Sequence, residues 1–245
     1  MKKWIKLTAA ILFVTMGGAG CMSSESKVVD HLEKVYAEEF EVESTKEGSD
    51  IFPEMYGKDK VIAHPEGKPE LVFIAGESRN EAGVFYDTYV LSKWSKELDA
   101  KYSDQIKSDF GQEVEYKTLL LAQGDKYDPS MIDIPFSQYV TENKEVDVTV
   151  KIAIKTDGEP DISKYAEPVY NLLETLKKEN TKFYGVSVGF VDESEDISDY
   201  IRTSNINNIP WSNLKANVYG TIMVDNLTGI NSPDEIAQHY DKSEG

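Results

Sequence analysis

The stretch 146–155 leaves the backbone little choice. Val146, Val148, Val150, Ile152 and Ile154 alternate with Asp147, Thr149, Lys151, Ala153 and Lys155. Five β-branched side chains on one side and mostly polar ones on the other are the period-two signature of a half-buried strand. A single strand cannot satisfy its own N–H and C=O groups, so the chain has to build a sheet. The Val/Ile face of that sheet needs a covering layer, and the opposite face is left to water or to a partner.

The covering layer reads as helices. Trp94, Leu98, Tyr102, Ile106 and Phe110 recur in four-residue steps between Ser92, a capping residue, and Gly111, a stop. Tyr165, Val169, Leu172, Leu173 and Leu176 outline another helix, with Lys177 and Lys178 in its last turn, where cations suit the helix dipole. Val28, Val29, Leu32, Val35, Tyr36 and Phe40 predict a helix over 27–40. Ser232-Pro233-Asp234-Glu235 has the form of a capping box opening a short helix to Tyr240. Further strands are expected at 71–75, 84–91, 114–122, 184–190 and 218–224. Between 41 and 69, Gly48, Pro53, Gly57, Pro65 and Gly67 punctuate short extended pieces. The segment 124–143, with Pro129 and Pro135, breaks the pattern and is the candidate boundary.

These elements predict an α+β fold of two small units, 27–128 and 129–245. In each, strands and helices pack on one face of a mixed or antiparallel sheet. The strand–helix–strand runs 84–122 and 146–191 suggest a degenerate duplication, although no residue-level repeat accompanies them.

The first twenty-one residues have a different construction. Lys2, Lys3 and Lys6 form a basic start, residues 7–16 are mainly apolar, and Gly17, Gly18, Ala19 and Gly20 lead into Cys21. An apolar run of about ten residues is too short to span a bilayer but suits an export signal. This leader resembles that of the bacterial prolipoproteins, with Gly18-Ala19-Gly20-Cys21 as the lipobox and Gly18 where the family usually carries Leu or Val. The resemblance implies a signal peptide at 1–20, lipidation of Cys21 by a diacylglyceryl group, and anchoring to the extracytoplasmic face of the cell membrane. Residues 21–26 then read as a short polar tether, of which 22–26 span at most about 18 Å at roughly 3.6 Å per residue. The rest of the chain is similar only in style to the small acidic lipoproteins of Gram-positive bacteria.

Charge narrows the choice of partners. The chain has 44 acidic and 26 basic residues, a formal charge of −18, which becomes −21 without the three leader lysines. Such a surface repels phosphates, so no nucleic-acid partner is expected. The lone cysteine leaves no intrachain disulfide and no CxxC pair.

Candidate chemistry is sparse. Gly185-Val186-Ser187-Val188-Gly189 is a GxSxG, and Asp225 and His239 follow in the order of an α/β-hydrolase triad. A nucleophile elbow needs a sharp turn at the serine, whereas the alternation of Tyr184, Val186, Val188 and Phe190 runs straight through it. Gly185, Ser187 and Gly189 are therefore expected on one strand face, small where another element packs closely. His31, His64 and His239 show no metal-ligand spacing and read as surface residues. The acidic groups Asp157, Glu159, Asp161 and Asp192, Glu193, Glu195, Asp196 read as solvated runs. Neither a catalytic set nor a metal or cofactor site is expected. Asn205 to Trp211 reads as a turn-rich loop whose Ile209 and Trp211 anchor it to the core. The expected function is a membrane-anchored, non-enzymatic binding or interaction protein with an envelope-protein or cell-wall partner. The alternatives are a solute-binding lipoprotein and a serine hydrolase.

Overall fold

Strand pairing sorts the chain into two sheets. The computed structural model describes residues 23–48, 58–207 and 209–243; Cys21 and the leader lie outside them. The first sheet has β1 (Phe40–Lys46), β2 (Lys60–Pro65), β3 (Phe73–Glu77) and β4 (Phe85–Asp87) in sequence order, all antiparallel. The second has β5 (Glu115–Ala122), β6 (Val146–Thr156), β7 (Phe183–Asp192), β8 (Val218–Asp225) and β9 (Tyr240–Lys242), also in order. Only β6 and β7 run parallel. Among the described residues the helices are α1 (Ser24–Tyr36), α2 (Tyr89–Phe110), α3 (Phe136–Glu142), α4 (Ser163–Leu176), α5 (Ser198–Arg202) and α6 (Ser204–Asn207). The class is α+β, with two sheet units.

Each sheet has its own apolar cluster. Val28 and Leu32 of α1 pack with Phe40, Val61, Ala63, Phe73, Ala75 and Tyr89. The five β-branched residues of β6 are buried beneath α2, α3 and α4, and the whole four-step ladder from Trp94 to Phe110 is in that core. Parallel pairing of β6 and β7 needs a crossover, and α4 supplies it. On the free side of β5, α2 takes up the edge. Thr118 N donates to Asp99 Oδ1 at 2.6 Å, Ser95 Oγ donates to the Thr118 carbonyl at 2.5 Å, and the Tyr116 hydroxyl donates to the Asp99 carbonyl.

Several boundaries move from their expected places. Ser23 caps α1 by accepting from Ser26 N, so residues 24–26, expected in the tether, form the first helical turn. The helix stops at Tyr36, where Ala37 turns left-handed at φ 53°, and Phe40 opens a strand instead. Tyr89, Val90 and Leu91, expected in a strand, start α2, with Asp87 Oδ1 accepting from Tyr89 N. Ser92 is buried inside the helix rather than capping it. Residues 41–69 supply β1 and β2, and Pro135 precedes α3 rather than ending an element. Residues 233–239 wind as a 3-10 helix, with Glu235 accepting from Asn231 N, before β9.

The sheets also divide the chain earlier than residue 128. β4 and β5 flank α2 but belong to different sheets, so 84–122 is not a closed unit and does not duplicate 146–191. The reason lies in α2, whose Tyr89 is buried in the first cluster and whose ladder is buried in the second.

Candidate functional site

Period-two alternation on the second sheet creates a face turned away from its helical core. It carries Lys117, Leu119 and Leu121 from β5; Asp147, Thr149, Lys151 and Ala153 from β6; Gly185, Ser187, Gly189 and Val191 from β7; and Thr221, Met223 and Asp225 from β8. Half of this face is covered. Ile197, Ile201 and Trp211 pack onto Ala153 and Val191, with Tyr200, Leu214 and Ala216 beside them. Trp211 lies so close over Gly189 that a Cβ there would sit 2.5–2.7 Å from the indole. The glycine makes room for the ring. Trp211 Nε1 then donates to Ser187 Oγ at 2.9 Å.

Lys151 lies under the same cover. Its Nζ is 4.3 Å from the Tyr200 ring centre and 4.8 Å from that of Trp211, and it donates to the Ile209 carbonyl at 2.7 Å. The residue is 3% exposed and has no carboxylate at ion-pair distance among the described residues. Burial without a counter-charge pushes its ammonium down to about 8.

An open groove of about 1150 Å³ runs along this face and the rim of its cover, lined among others by Leu121, Asp147, Thr149, Gly185 and Met223, with Lys151, Ser187 and Trp211 at the covered end. Leu121 and Met223 are 67% and 64% exposed, an unusual state for large apolar side chains on a sheet. Asp147 makes no hydrogen bond or ion pair among the described residues. Burial raises its carboxyl above the ordinary range, against the pull of Lys182.

The GxSxG forms no elbow. β7 runs unbroken from Phe183 to Asp192, and Ser187 is buried at its middle. Asp225 pairs with Gly185 in register, but its carboxylate closes a turn by accepting from Leu227 N and Thr228 N. No hydrogen bond joins His239 to either residue. His31 stacks on Phe85 at 4.6 Å. His64, expected at the surface, is buried in β2, with Nδ1 2.9 Å from the Pro65 carbonyl and Nε2 3.5 Å from Glu43. The acidic runs close local turns: Asp161 accepts from Ser163 N, Asp192 from Ser194 N and Asp196 from Ser198 N. Among the described residues, no group of three or more His, Cys, Asp or Glu is placed to hold a metal ion. Trp211 anchors its loop as expected, at 5% exposure, whereas Ile209 is 36% exposed and contributes its carbonyl.

No known protein-family model matches the chain, and no curated protein matches it. It is similar to the crystal structure of a DUF5037 family protein from Ruminococcus gnavus ATCC 29149. The TM-score is 0.51 at 15% sequence identity, over 81% of this chain and 88% of the other. At that identity the likeness concerns the fold alone.

Proposed function

We propose that the protein is a membrane-anchored lipoprotein of the cell envelope, held on the extracytoplasmic face through Cys21, and that it works by binding rather than by catalysis. The leader carries this reading: a basic start, a short apolar run and small residues lead to the only cysteine in the chain. Support also comes from α1, whose cap Ser23 follows Cys21 by two residues. Two or more acyl chains there would hold the folded part close to the bilayer for long periods. A body at −21 would be repelled by anionic headgroups within a Debye length of about 8–10 Å and would stand off the surface. The groove on the second sheet is the binding surface in this reading, and it favours a solute or an extended segment of an envelope partner over a globular one. Labelling cells with a palmitate analogue and fractionating them tests the anchor. The parent protein should carry label in the membrane fraction, and Cys21→Ala should be unlabelled and released to the medium. A labelled, membrane-bound Cys21→Ala protein would overturn the anchor. Crosslinking in the intact envelope then identifies the partner.

A further inference from the structure

Asp147 and Lys151, the latter 3% exposed at the covered end, bring opposite charges to the groove, and neither has an ion-pair partner among the described residues; of the other charged groups lining it, Asp225 closes a turn and Lys242 pairs with Glu159. Asp147 and Lys151 lie on the same face of β6, four residues apart, which is about 13 Å along a strand. Lys151 has a carbonyl and two aromatic rings for company but no carboxylate, and Asp147 has no hydrogen-bond partner among the described residues. Beside Lys151 in the parallel register stands Ser187, whose Oγ accepts from Trp211 and keeps its own proton to donate. Between the ends, Gly185 faces Thr149 and presents no side chain, and a Cβ there would sit 3.0–3.1 Å from the Val224 carbonyl and Asp225 Cβ, so Asp225, a further carboxylate of the lining, borders the middle of the groove.

We propose that this groove holds a short extended peptide with free termini, its carboxylate at Lys151 and Ser187 and its ammonium at Asp147. The proposal rests on reading the groove as the binding surface and adds the class of ligand. Charge complementarity selects the occupant. A fatty acid would satisfy Lys151 but lay an apolar chain against Asp147, and a polyamine would do the reverse. An extended chain advances roughly 3.3–3.6 Å per residue, so three or four residues match the span. Exposed Leu121 and Met223 offer apolar contact to side chains along the way.

Calorimetry on the intact protein in detergent tests this, with Ala-Leu-Ala and Ala-Leu-Ala-Ala as probes. The free peptides should bind saturably, and amidating the carboxylate or acetylating the amine should each weaken binding by about tenfold or more. Lys151→Met should erase the difference between acid and amide. Asp147→Asn should erase the difference between free and acetylated amine. No saturable binding of the free peptides at millimolar concentration would overturn the proposal, as would equal binding of a doubly blocked peptide or of octanoate. Because blocked and free peptides are compared on the unaltered protein, the outcome stands even if a variant fails to fold. Should the peptides fail while envelope crosslinking still labels the groove, the peptide proposal falls and the binding-surface reading remains.

Discussion

An ammonium group set against two aromatic rings and a carbonyl makes Lys151 a residue whose protonation bears on the stability of the fold. Its ordinary value of 10.5 falls to about 8 in the folded protein. Between those values the unfolded chain binds the proton and the folded chain does not, so stability contributed by this site rises with pH across the window. Below pH 8 the folded protein keeps a buried, uncompensated charge. Lys151→Met, similar in length and without the charge, is expected to match or exceed the parent in urea midpoint at pH 7.5, with its advantage shrinking by pH 10. Parallel pH profiles for the two proteins would refute this role. The same position shows how far the sequence could be read. Alternation placed Lys151 on the polar face of β6, and it placed Ser187 between two glycines on β7. Nothing local announced that Tyr200 and Trp211 would return from 49 and 60 residues downstream to bury that lysine.

At the scale of elements, α2 combines two tasks that the sequence showed unequally. Its ladder of Trp94, Leu98, Tyr102, Ile106 and Phe110 was legible because four-residue spacing is a property of the helix itself. Its other face closes the edge of β5 through Ser95 and Asp99, and no periodicity encodes that. Asp99 also sits 3.3 Å from Lys117 Nζ, which is itself 4% exposed and donates to the Glu70 carbonyl. Asp99→Ala therefore leaves a buried cation without its counter-charge and a strand N–H without its acceptor. Urea unfolding should show a loss of about 3–5 kcal/mol. Asp99→Asn should lose less, since its amide oxygen can still accept from Thr118 N, and equal losses would mean that the strand-edge bond contributes nothing. Other elements were missed for similar physical reasons. In β1 only Phe40 is buried, and Glu41, Glu43 and Lys46 mask its alternation. Pro129 and Pro135 look like breaks in the sequence, yet each stands at the start of a helical turn, where a missing N–H costs nothing.

For the whole molecule the question is whether the two sheets unfold together. Tyr89 lies in the first cluster and Val90 in the second, one residue apart on α2, and Ile132 packs against both. Polar ties add to this. Arg202 reaches Glu43 at 2.6 and 2.9 Å and the Pro69 carbonyl at 2.8 Å, and Asn205 Nδ2 donates to the Val72 carbonyl at 2.8 Å. A change confined to the first sheet should therefore be felt in the second. Phe73 provides the test: it is fully buried, meets Phe40 edge-to-face and Tyr89 at a tilt, and belongs only to the first cluster. Phe73→Ala should cost about 3–5 kcal/mol. Trp94 and Trp211, the tryptophans among the described residues, both report on the second sheet. In a single cooperative unit their fluorescence midpoint in urea should shift with that of the far-ultraviolet circular dichroism, by the same amount. If the dichroism splits into two steps and the fluorescence midpoint stays at the parent value, the sheets unfold separately. Tyr89 and Arg202 would then join two independent units.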